Sequence, residues 1–277
     1  MGSGKRLRGI IRWMAACAVI AGAQDRTAKY SPAIEDNSFF IEEAYNQEEN
    51  VVQHIWTLQR MPGAVQMYGL SVTEEWPIAG VEHQFSYTLP YTAIAGPRSG
   101  GVGDVQLHYR YQYSGSESWA AFAPRFTFSV PSGTAANGLG SGSAGVQVNL
   151  PVSKRVSESF VVHANAGWTT MFRARGERMD GSVVRRALNT LTGGGSIIWL
   201  TTPAVNLMFE AGGSVFDTFD DDGIVVRRQQ VFVNPGARVA VDVGDLQIVP
   251  GAAFPVFFQE GRADGAFFLY LSFEHPF

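Results

Sequence analysis

The chain has 277 residues, with Lys+Arg 21 against Asp+Glu 25, 12% aromatic residues, 31 Gly and a single cysteine. A net charge of −4 argues against nucleic acid as a partner, and one cysteine excludes an internal disulfide or a thiolate metal cluster. A mean hydropathy of −0.01 suits alternating apolar and polar side chains, and no run after residue 23 is long and apolar enough to span a bilayer as a helix.

The first predicted element is a processing signal. Lys5, Arg6, Arg8 and Arg12 precede the apolar run 13–23, and Ala21-Gly22-Ala23 fits a small-x-small cleavage site. Residues 1–23 therefore read as an export signal peptide, with a mature start at Gln24. Cleavage takes Cys17 and four positive charges away, leaving 17 basic residues against 25 acidic ones. Residues 24–49 come next and are acidic. Asp36, Asn37 or Ser38 is suited to cap a short helix, with Phe40 and Ala44, and Ile41 and Tyr45, four residues apart. The segment reads as a short N-terminal periplasmic stretch, lying across a barrel mouth or plugging its lumen.

From residue 50 onward the period is two. Val81–Leu89 puts Glu82, Gln84, Ser86 and Thr88 on one side, and Val105–Tyr113 sets three tyrosines against Gln106, His108, Arg110 and Gln112. Phe126 and Phe128 oppose Arg125 and Thr127, Ala164 and Trp168 oppose His163 and Asn165, and Asn206 and Glu210 share a side. Such alternation marks strands with one apolar and one polar face. The pattern predicts about twelve: 50–60, 65–76, 81–91, 103–113, 118–130, 142–151, 158–172, 188–200, 203–217, 229–242, 245–258 and 265–277. Gly193-Gly194-Gly195 weakens the case for 188–200. Pro124, Pro235, Pro250 and Pro255 should lie at bulges or near rims. Long connections at 92–102, 131–141, 173–187 and 218–228, with a shorter one at 259–264, alternate with short ones at 77–80, 114–117, 152–157, 201–202 and 243–244; only 61–64 is short where an external loop is expected. That sorting fits a barrel with tight periplasmic turns and longer external loops. The expected fold is all-β: a transmembrane antiparallel β-barrel over residues 50–277 in a bacterial outer membrane.

The last strand supports the same expectation. Phe267, Leu269, Leu271, Phe273 and Phe277 place apolar residues at alternate positions up to the final residue. This resembles the C-terminal signature of bacterial outer-membrane proteins, which implies recognition of Phe277 by the barrel-assembly machinery. His275 departs from it, standing where the signature has an aromatic or aliphatic residue.

A second resemblance rests on residues 37–48 with Val52-Gln53-His54-Ile55, Glu75-Trp76-Pro77, His83-Gln84-Phe85-Ser86-Tyr87 and Gly101-Val102-Gly103-Asp104. Together these resemble the outer-membrane transporter family named for the meta-pathway of phenol degradation, mainly over residues 35–113. The resemblance implies an exported β-barrel, with a Gly-x-Gly-Asp motif opening a strand, that passes aromatic or other small hydrophobic compounds.

With the apolar face toward lipid, the inward candidates for a solute path are Glu82, Gln84, His108, Arg110, Arg125, His163, Asn165, Glu210, Arg238 and Asp242, with Gln112 and Glu274. A basic side chain at mid-bilayer on the lipid side would cost about 2–4 kcal/mol, so these residues should point inward. Arg110, Arg125 and Arg238 are expected either to pair with Glu82, Glu210 and Asp242 as braces or to form a charged constriction. His83 falls on the lipid row, where a lipid hydrolase would need a base, but no nucleophile context accompanies it. Asp217–Gly223 lacks the ligand spacing of a calcium loop. The expected function is passive passage of small solutes, without catalysis or cofactor; a non-conducting structural or adhesive barrel is the alternative. The remaining expected partners are outer-membrane lipid and lipopolysaccharide: the 217–223 loop is suited to touch divalent ions that bridge lipopolysaccharide, and the basic loop at 173–187 faces anionic headgroups or its own Glu177 and Asp180.

Overall fold

A computed structural model describes residues 38–61, 67–94 and 100–277. The expected signal peptide and the start of the acidic segment lie outside the described residues. The strand elements in chain order are β1 (Val51–Met61), β2 (Met67–Pro77), β3 (His83–Ile94), β4 (Gly101–Val102), β5 (Val105–Tyr111), β6 (Ala121–Phe122), β7 (Arg125–Val130), β8 (Gly145–Ser157) and β9 (Phe160–Glu177). They continue with β10 (Val183–Thr202), β11 (Val205–Phe219), β12 (Val225–Val239), β13 (Val241–Val243), β14 (Leu246–Ala253), β15 (Val256–Gln259), β16 (Arg262–Gly265) and β17 (Phe268–Pro276). β4 runs on into β5, β6 into β7, β12 into β13, β14 into β15 and β16 into β17, which makes 12 antiparallel strands. β17 pairs with β1 from Val51↔Pro276 to Gln59↔Phe268, and the sheet closes. Closure leaves no unpaired edge, as a sheet surrounded by hydrocarbon requires.

The alternation read from the sequence becomes an inside and an outside. On β5, Leu107, Tyr109 and Tyr111 are exposed while His108 and Arg110 are buried. On β11, Leu207 and Phe209 are exposed while Asn206, Met208 and Glu210 are buried. Trp56, Leu89, Phe126, Phe128, Leu150, Trp168, Ile197, Trp199, Val231, Leu269 and Leu271 extend the outer apolar band around the wall. A soluble monomer rarely exposes so large a continuous apolar surface.

Prolines sit where the ladder is already broken. Pro124 and Pro255 occupy the interruptions between β6 and β7 and between β14 and β15. Pro235 lies opposite the second of these breaks, since Val233 pairs with Val256 and Gly236 with Ala253. Pro250 faces Val239 at the end of β12, within the unpaired step between Arg238↔Gly251 and Val241↔Ile248. At each site the missing N–H removes no regular ladder bond.

Three sequence-based expectations need correction. The strand expected at 188–200, the weakest of the twelve, is present but longer: β10 has 20 residues and pairs through the glycine triplet on both sides. The predicted loops 173–187 and 218–228 are largely strand: Arg185↔Arg175 and Phe219↔Val225 stay in register, and the turns shrink to 178–182 and 220–224. Polar composition there reflects a hairpin that continues beyond the apolar band. Finally, Ser38 starts no helix, and residues 38–48 are irregular; their backbone groups bond the barrel wall instead of one another.

Candidate functional site

Residues 38–49 thread the lumen. A segment without secondary structure must find partners for its backbone groups, and the inward row of the barrel supplies them. Glu210 Oε1 accepts the N–H groups of Phe39, Phe40 and Ile41 at 3.1, 2.7 and 2.9 Å, while its Oε2 accepts from Asn234 Nδ2 at 2.6 Å. Asn165 accepts the Glu42 N–H at 2.7 Å and donates back to the Glu42 carbonyl at 2.8 Å. Ser153 Oγ accepts the Ala44 N–H at 2.7 Å and shares a 2.6 Å bond with His163 Nδ1. Gln112 accepts from Asn46 N–H and Gln84 from Gln47 N–H, at 2.8 and 2.6 Å. Ser38 Oγ meets Ser196 Oγ at 2.6 Å.

The lumenal arginines also turn to this strap. Arg110 donates to the Tyr45 carbonyl, to Asn46 Oδ1 at 2.9 Å and to Gln84 Oε1 at 3.1 Å, and pairs with Glu43 at 3.2 Å. Arg125 pairs with Glu42. The expected wall-to-wall braces are therefore replaced: the acids facing Arg110 and Arg125 come from the strap, and Glu210 binds backbone.

The candidate residues divide by depth. Gln84, His108, Arg110, His163, Glu210 and Arg238 are buried inside the wall, and Arg125 and Asn165 are half-buried beside the strap. His108 lies between Thr88 and Thr127, at 3.0 and 2.8 Å. Arg238 stands in register between Asn206 and Gly251. Glu82 and Asp242 are exposed, the first in the turn before β3 and the second at the same rim on β13. Sequence reading missed Ser153 and Ser196, whose period-two positions beside His163 were visible, and placed Asn234 on the polar side of its strand without counting it among the candidates.

Glycines in the wall make room for the strap's apolar side chains. A Cβ at Gly194 would stand 2.7 Å from Ile41 Cδ1, and one at Gly236 or Gly251 would stand 2.6 or 2.8 Å from the Phe39 ring. Phe40 packs edge-on against Phe232 and Phe268. A cavity of about 380 Å³ remains beside Phe40 and Glu42. Phe40, Phe232 and Phe257 form its apolar side, and Gln147, Asn149 and Gln230 its amide side.

Outside the lumen, His83 bonds the Tyr109 phenol at 2.6 Å on the lipid row. The Gly-x-Gly-Asp motif acts as a loop staple: Asp104 accepts Gly133 N–H at 3.0 Å and Ser141 N–H at 2.7 Å. Asp217 binds Arg227 and Asn189, and Asp220 caps the N–H groups of Asp222 and Ile224 in a tight turn. In the neighbouring turn, hydrogen bonds from Ser182 hold the Asp180 carboxyl below its ordinary range.

No protein-family model matches the chain, and no curated protein matches it. Solved structures do. An outer-membrane channel from Pseudomonas putida F1 aligns with a TM-score of 0.61 at 12% identity, over 87% of this chain and 100% of that one. The translocator domain of the autotransporter NalP from Neisseria meningitidis gives 0.49 at 12% identity, over 96% and 98%. The NanC porin gives 0.48 at 8%, over 80% and 98%. The first of these shows a shared fold. A closed 12-strand barrel with an apolar outer band is the architecture of bacterial outer membranes, and this protein is an outer-membrane β-barrel.

Proposed function

We propose that the protein is a passive channel for small, uncharged solutes, hydrophobic and aromatic ones included, and that residues 38–49 hold it closed. The observation that carries this reading is the pairing of an occluding strap with a residual cavity of about 380 Å³ lined by three phenylalanines and several amides. Ring faces accept apolar and aromatic surface, and amides supply hydrogen bonds without net charge. Glu42 is neutralised by Arg125, so the wall favours neither ion sign strongly. The resemblance of residues 35–113 to the phenol meta-pathway transporters supports the same solute class.

In this reading residues 1–23 are a signal peptide, the rim carrying β1 and β17 faces the periplasm, and Phe277 engages the assembly machinery. Basic residues on the β9–β10 hairpin meet lipopolysaccharide. The chain acts as a conduit and not as a catalyst. A non-conducting structural barrel is the second reading, favoured by the density of bonds holding the strap.

Liposome swelling decides between the two. Vesicles carrying a chain without residues 38–49 should admit neutral sugars and aromatic alcohols faster than vesicles with the full chain. Charged analogues of equal size should lag. Equal, negligible swelling for both chains would favour the structural barrel.

A further inference from the structure

His275, the residue that breaks the C-terminal signature, meets His54 on the outer face of the barrel where the sheet closes. His54 lies on β1, His275 on β17 next to its pair position Val52, and Glu74 stands opposite His54 on β2. Phe273 and His275 both pack on the His54 ring. His54 Nδ1 is 2.6 Å from Glu74 Oε2. His275 Nδ1 is 2.9 Å from the Pro276 carbonyl.

Both partners are acceptors, so each Nδ1 carries the hydrogen, and in neutral rings each Nε2 presents a lone pair. Yet the two Nε2 atoms are 3.1 Å apart. Two lone pairs at that distance repel unless a positive centre lies between them. Imidazole nitrogens at about 2.0–2.1 Å from one metal ion, with an angle between square and tetrahedral, are separated by about 2.8–3.4 Å. The observed spacing falls in that interval.

We infer that His54 and His275 chelate one divalent transition-metal ion of the class imidazole prefers, Zn²⁺, Ni²⁺ or Cu²⁺. Glu74 and the Pro276 carbonyl fix the two tautomers from behind, as outer partners of ligating histidines do. Among the described residues no group of three His, Cys, Asp or Glu side chains is placed to hold a metal, so water completes the coordination. His54 is the fourth residue of β1 and His275 the last but one of β17, so the pair lies near the rim of the wall, and the His54 and Glu74 side chains retain 23% and 16% exposure. Such an ion would tie the first strand of the barrel to the last.

The rival occupant is a single proton, with His54 as an imidazolium between Glu74 and His275. The two are separable with the full chain in detergent, purified without a polyhistidine tag and loaded with one equivalent of Cu²⁺ at mildly alkaline pH. Electron paramagnetic resonance should show hyperfine coupling to two imidazole nitrogens, and Zn²⁺ should compete. His54→Gln or His275→Gln should abolish the two-nitrogen pattern. Glu74→Gln should keep it while weakening affinity by about ten- to a hundredfold. Heat-dependent gel mobility reports whether each variant is a folded barrel, and should a variant misfold, the spectrum of the unsubstituted chain decides. Absence of saturable binding there, a one-nitrogen pattern, or a two-nitrogen pattern that survives in a folded His275→Gln variant would overturn the site; nitrogen resonances of an imidazolium without metal uptake would assign the contact to a proton.

Discussion

Glu210 shows how one inward residue organises a whole segment. Its carboxylate receives three consecutive strap N–H groups and the Asn234 amide, and its side chain is fully buried. Removing such an acceptor leaves buried donors unsatisfied, at about 1–3 kcal/mol for each. Glu210→Ala is therefore expected to release the strap's first turn, seen as rapid hydrogen exchange at Phe39–Ile41 with the wall still protected. Glu210→Gln, which keeps one carbonyl acceptor, should fall between. Arg110 makes the corresponding case for charge. Arg110→Met would strand the Glu43 carboxylate, and losing one partner of a buried pair costs about 3–5 kcal/mol. Urea titration in lipid vesicles should show that loss, and the added Glu43→Met should recover part of it. Period two placed Glu210 and Arg110 on the inward row, but not what they touch. The bond from Glu210 to Phe40 spans 170 positions, and no local pattern encodes a contact at that separation.

The strands themselves were legible because each must hide polar atoms from lipid along its whole length, which imprints the alternation everywhere. The strand through Gly193-Gly194-Gly195 was expected but ranked weakest, because glycine was read as a weak strand former. Here Gly194, Gly236 and Gly251 are sites where strap side chains approach the wall backbone, and that need is invisible without the strap. A Cβ at Gly251 would also stand 3.2 Å from Arg238 Cβ. Gly251→Ala should therefore weaken strap docking by about 1–3 kcal/mol through overpacking, and Phe39→Ala in the same chain should relieve part of it. Protease susceptibility of residues 38–49 in the folded barrel measures both effects. The hairpin ends were misjudged for a related reason: past the apolar band a strand no longer alternates, so β9 and β10 look like loop while remaining paired.

For the whole molecule, the inside and outside of the closed sheet obey different solvents. An arginine in place of Trp168 or Phe209, both in the outer band, should cost about 2–4 kcal/mol near the bilayer midplane, measured as the shift in folding equilibrium into lipid vesicles. The barrel and its outward band were legible in the sequence, whereas the filling of its lumen was only one of two stated alternatives for residues 24–49. The measurement that bears most directly on the closed-channel account is single-channel conductance in planar bilayers, for the full chain and for a folded barrel lacking residues 38–49. The account predicts rare, small steps from the full chain and frequent steps several-fold larger without the strap. Indistinguishable conductance from the two chains would contradict it.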